Sequence, residues 1–77
     1  MTIAAQESCL RIAAAMLDEP PHHKRNKRMQ WTVGLNLGEQ KFHYATKAQA
    51  DRLIAQVLML DPFGVTNGDY YIDGPES

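Results

Sequence analysis

Apolar side chains recur at helical spacing over the first eighteen residues. At about 100° per residue, Ile3, Ala5, Cys9, Leu10, Ile12, Ala13, Met16 and Leu17 fall within one broad arc, and Glu7, Ser8, Arg11 and Asp18 fall opposite. The spacing predicts an amphipathic helix over 3–18, capped by Thr2 and stopped by Pro20-Pro21. Glu7 and Arg11 stand i,i+4 in the favourable order. Residues 20–28 then hold no apolar side chain except the prolines, so they read as a solvated, flexible, basic connector.

From Met29 the period changes to two. Met29, Trp31, Val33, Leu35 and Leu37 alternate with Gln30, Thr32, Gly34 and Asn36, the pattern of a strand with one wet face. Gly38-Glu39 fits a two-residue turn, which predicts a hairpin of 29–37 with 40–45. In that register Leu37 opposes Gln40, Leu35 opposes Phe42 and Val33 opposes Tyr44. Asn36–Lys41, Gly34–His43 and Thr32–Ala45 fall on the other face, which is expected to be exposed.

Thr46-Lys47-Ala48-Gln49 is a capping-box pattern opening a second helix over 47–60. Ala50, Leu53, Ile54, Val57, Leu58 and Leu60 make its apolar face, Met59 points away, and Asp61-Pro62 ends it. Asn67-Gly68 is a strong turn signal. Phe63–Thr66 and Asp69–Ile72 could form a second hairpin around it. Alternatively 69–72 adds a third strand to the main sheet, which is favoured because an isolated hairpin is marginal. Residues 73–77 read as a frayed tail. The order is α-β-β-α-β: one two-layer α+β domain over 1–77, with two helices on one face of a small antiparallel sheet.

Composition narrows the function classes. With 77 residues, 44% of them apolar and 22% charged, the chain suits a single globular domain and offers no room for a deep cleft. No apolar run is long enough to span a membrane, and no basic n-region suggests a signal peptide. Cys9 stands alone, so no internal disulfide can form and a cytoplasmic setting is expected. Cys9 lies within the apolar arc and reads as a buried thiol rather than a nucleophile. His22, His23 and His43 lack metal-ligand spacing. Asn67-Gly68-Asp69 would need oxygen donors where Phe63 and Val65 stand to be a calcium loop. No phosphate loop or triad is visible, and neither enzyme activity nor a cofactor is expected.

Charge is the informative feature. The net charge of -1 hides three blocks: -2 over 1–21, +5 over 22–52 and -4 over 53–77. Such a split limits partners. In size and layout the chain resembles the small α+β inhibitors of phages and other mobile elements, such as anti-CRISPR proteins. The resemblance implies action by covering a larger partner's surface without chemistry.

The leading expectation is a non-enzymatic interaction protein, an inhibitor or regulator of a larger protein or nucleoprotein. Its contact residues would be Lys24, Arg25, Lys27 and Arg28 on the connector, and Met59, Asp61, Asp69, Tyr70, Tyr71 and Asp73 toward the C-terminus. The rival is a nucleic-acid-binding module using Lys24, Arg25, Lys27 and Arg28 with Lys41, His43 and Lys47. Trp31 could stack on a base, but its place on the apolar strand face assigns it to the core. A homodimer, basic middle against acidic end, is the third reading.

Overall fold

A computed structural model describes residues 2–18, 22 and 24–75. Helix α1 spans Ile3–Ala15, strand β1 Trp31–Leu35, strand β2 Lys41–Tyr44, helix α2 Lys47–Leu60, helix α3 Pro62–Asn67 and strand β3 Tyr70–Asp73. The three strands form one antiparallel sheet in the order β2-β1-β3. The fold is the expected two-layer α+β arrangement, with the third strand joined to the main sheet and one helix more than the pattern predicted.

Local chemistry accounts for the element ends. The Thr2 hydroxyl accepts the Ala5 N–H at 3.1 Å. α1 stops three residues short of the predicted end, its last turn tightening through a Leu17 N–H to Ala14 carbonyl bond of 3.3 Å. The proposed stop at Pro20-Pro21 lies outside the described residues. At α2 the capping box forms: Thr46 Oγ1 accepts from Gln49 N–H at 3.2 Å, and Gln49 Oε1 accepts from Thr46 N–H at 3.0 Å. α3 replaces the predicted Phe63–Thr66 strand. Asp61 caps it, Pro62 occupies its first turn, and Gly68 closes it at φ 81°.

The hairpin register differs from the expected one by two residues. Trp31 faces Tyr44, Thr32 faces His43, Val33 faces Phe42 and Gly34 faces Lys41. A shift of two keeps every side chain on its predicted face. It also lengthens the loop to 36–40, whose polar groups find distant partners. Gln40 N–H donates to Glu7 Oε2 at 3.3 Å, and Asn36 N–H donates to the Asp69 carbonyl at 2.9 Å. β1 begins two residues late because Asn26–Met29 forms a turn, with Asn26 Oδ1 accepting from the Arg28 and Met29 N–H groups.

The core lies between the sheet and α1 and α2. It comprises Leu10, Ala13, Ala14, Val33, Leu35, Phe42, Tyr44, Ala50, Leu53, Val57 and Tyr70, with Leu17, Trp31, Ile54, Val65 and Ile72 packed at its margin. The predicted apolar arcs are too wide. In α1 the inward stripe runs through Gln6, Leu10, Ala13 and Ala14, which leaves Ile12 and Met16 exposed. In α2, Leu58 and Leu60 are exposed, because only Ala50, Leu53 and Val57 face the layer below fully. No helix of the described residues is long and apolar enough to cross a membrane.

Candidate interaction surfaces

The densest polar construction is a buried junction around Asp61. Its Oδ1 accepts the Gly64 N–H at 3.0 Å, and its Oδ2 accepts the Tyr70 hydroxyl at 3.0 Å and the Gln6 amide at 3.2 Å. Gln6 Nε2 also donates to Asp69 Oδ2 at 3.0 Å. One carboxylate thereby fastens α3, β3 and α1 together. Burial pushes its pKa up, but the Gly64, Gln6 and Tyr70 donors outweigh burial and hold it below the ordinary carboxylate range. Burial raises the Tyr70 hydroxyl well above its ordinary value, helped by its bond to Asp61. The Cys9 thiol is raised by burial and then by the Asp61 charge. His43 lies on the opposite face of the sheet, so the structure does not bring thiol, carboxylate and imidazole together.

Tyr70, expected among the contact residues, is therefore an interior group. Asp69 is half-buried and committed to Gln6. Above this junction lies a shallow groove of about 180 Å³ lined by Ile3, Gln6, Leu35, Asn36, Leu37 and Asp69. It is smaller than the roughly 300–1,000 Å³ of ordinary ligand sites. Gln6 links the groove to the α2–α3 corner, since a Cβ on Gly64 would come within 2.8 Å of its Nε2. Phe63 neighbours Gly64, and Met59 lies at the end of α2. Ile3 and Leu37 line the groove and are exposed, as are Met59 on α2 and Phe63 on α3. Of these only Met59 stood among the expected contacts. The signal for Phe63 was its place just after Asp-Pro, the first turn of a short helix.

The outer face of the sheet carries two cross-strand rows: His43, Thr32 and Asp73, and Lys41, Gly34 and Tyr71. This face was expected to be exposed, yet Thr32, Gly34 and His43 are buried. Three contacts explain the difference. The Tyr71 ring lies across Gly34, where an added Cβ would meet its atoms at 2.9–3.1 Å. Thr32 Oγ1 sits 2.8 Å from His43 Nδ1. His22 exchanges both backbone hydrogen bonds with His43 at the β2 edge, at 2.8 and 3.3 Å.

The basic connector meets the acidic end directly: Arg25 Nη1 lies 3.6 Å from Asp73 Oδ2. Asp73 is the last residue of β3 rather than the start of a frayed tail. Lys24, Lys27 and Arg28 are exposed beside Arg25, and Lys41 is exposed in the Tyr71 row. His43 is too buried to contact a nucleic acid, and Lys47 pairs with Asp51 at 3.0 Å on α2. Trp31 lies on the inner face with its ring over Gly74. Among the described residues no three His, Cys, Asp or Glu side chains gather as metal ligands; His23 lies outside them. Compared with protein-family models, with curated proteins and with solved structures, the chain matches none.

Proposed function

We propose that this chain is a small non-enzymatic interaction protein, an inhibitor or regulator that covers part of a larger protein. The observation that carries the reading is the exposure of large apolar side chains: Leu37 at 83%, Phe63 at 81% and Met59 at 76%. Burying each such side chain is worth about 1.5–3 kcal/mol, enough for a few of them to anchor an interface. Methionine adapts to irregular partner surfaces.

Residues 53–77 contain Asp61, Asp69, Asp73 and Glu76 and no Lys or Arg. Asp69 lines the groove beside Leu37. Exposed apolar side chains beside a single half-buried acid fit an apolar pocket on the partner.

Affinity capture with the full chain tests this. The wild type retains a stable protein partner at low and high salt, and a Met59→Glu, Phe63→Glu variant, folded by circular dichroism, loses it. Recovering no partner in either salt, or equal recovery by the variant, refutes the reading. A homodimer in sedimentation that the same variant dissociates would assign these side chains to a second copy instead.

A further inference from the structure

We propose a second binding site, for single-stranded nucleic acid, on the outer face of the sheet. It is independent of the exposed apolar side chains. The carrying juxtaposition is made by β3, which brings Tyr71 into one row with Lys41 across Gly34. Glycine in the middle of that row leaves nothing between the strands for the ring to stand against, and the Tyr71 ring lies across it, half-exposed. α1 and α2 both pack on the other face.

Two cations flank this aromatic. Lys41 is in its own row, and Arg25 reaches the neighbouring row at Asp73. Lys24, Lys27 and Arg28 are exposed on the adjoining connector. The Asn26 turn fixes that segment, through its own bonds to Arg28 and Met29 N–H groups and a Gln30 Nε2 bond to the Lys27 carbonyl at 3.0 Å. Five cations on these segments stand against Asp73, which pairs with Arg25, and Glu39, exposed two residues before Lys41. Asp61 and Asp69 lie at the groove end, and Glu76 lies outside the described residues.

A flat ring among lysines and arginines matches the two demands of a single strand: a stacking surface for a base and counter-charges for its phosphates. An acidic peptide satisfies only the second. A duplex hides its base faces, and no helix of this fold is free to enter a groove. One aromatic platform supports one stacked base, so the affinity is modest.

Fluorescence anisotropy of labelled dT15 and U15 with the full chain tests the proposal. Three or four phosphate contacts at about -0.7 each in the logarithmic salt slope reduce affinity about 20- to 50-fold between 50 and 200 mM salt. Tyr71→Ala weakens binding at least about fivefold, the lower bound for one stacked base, and Tyr71→Phe restores it. Lys24→Ala, Lys27→Ala and Arg28→Ala together, which leave the Arg25–Asp73 pair intact, lower the affinity and flatten the salt slope. Met59→Glu, Phe63→Glu binds as the wild type does. No binding at 50 mM salt overturns the proposal. So does binding that Tyr71→Ala leaves unchanged, or equal affinity for a duplex of the same length.

Discussion

Replacing Asp61 with alanine tests whether one buried carboxylate holds the C-terminal third of the fold in place. The substitution removes the cap on α3, worth about 1 kcal/mol. It also removes the charged acceptor of the buried Tyr70 hydroxyl, a bond worth about 1.5–3 kcal/mol, and leaves that hydroxyl only the Gln6 carbonyl at 3.5 Å. Gln6 loses less, because its amide keeps Asp69 at 3.0 Å. The expected total is about 3 kcal/mol, a large share of the roughly 5 kcal/mol at the low end for folded domains. Urea unfolding followed by Trp31, the single tryptophan, reads it directly. With a slope near 1 kcal/mol per molar for so small a chain, the midpoint falls by about 3 M. Tyr70→Phe removes only the hydroxyl and costs about half as much. pH supplies a second readout. The Asp61 carboxyl is held below its unfolded value of about 3.9, so its contribution is complete above that value and is lost as pH falls through the folded one. The wild type therefore loses more stability between about pH 5 and pH 2 than Asp61→Asn, every other carboxylate being common to both. A cost for Asp61→Ala below about 0.5 kcal/mol, the range of ordinary surface changes, refutes the reasoning.

Gly74→Ala forces a Cβ into the Trp31 ring, nearer than side chains tolerate, and costs about 1–3 kcal/mol, read as a lowered thermal midpoint. Thr46→Ala removes the capping-box acceptor for Gln49 N–H and costs about 1 kcal/mol by the same measurement. Lys47→Ala breaks an exposed i,i+4 pair with Asp51 and changes stability by no more than about 0.5 kcal/mol, so a larger effect would contradict the assignment of Lys47 to solvent. The raised pKa of Cys9 lowers its thiolate fraction, so disulfide reagents modify it more slowly in the folded chain than in urea, and the folded rate climbs with pH.

Local signals carried over to the structure wherever the partner groups are close in sequence. α2 occupies the predicted 47–60 because its capping box needs only Thr46 and Gln49. The strand faces survive because alternation constrains parity, and a two-residue shift does not change parity. The shift itself was invisible. Glu7 and Asp69, the residues that hold the loop open, are 33 positions away from the loop residues they bond, Gln40 and Asn36. Asp61-Pro62 was ambiguous rather than silent. The same dipeptide ends one helix and begins another, and the Gly64 N–H decides between them. Burial of Thr32 and His43 depended on a ring and a backbone pair from other segments, which no periodicity within β1 or β2 encodes.

The charge blocks of the sequence do not map onto the folded surface as blocks. Asp73, from the acidic end, crosses to the outer face because β3 runs antiparallel to β1 and places it opposite Thr32, where Arg25 meets it. Tyr70 and Asp69, three and four positions before Asp73, remain at the Leu35 end of β1 with the apolar groove. A single short strand therefore sorts the C-terminal residues between two ends of the molecule. Arg25 meets Asp73 in the Thr32 row of β1, while Asp69 and the exposed Leu37 line the groove beside Leu35.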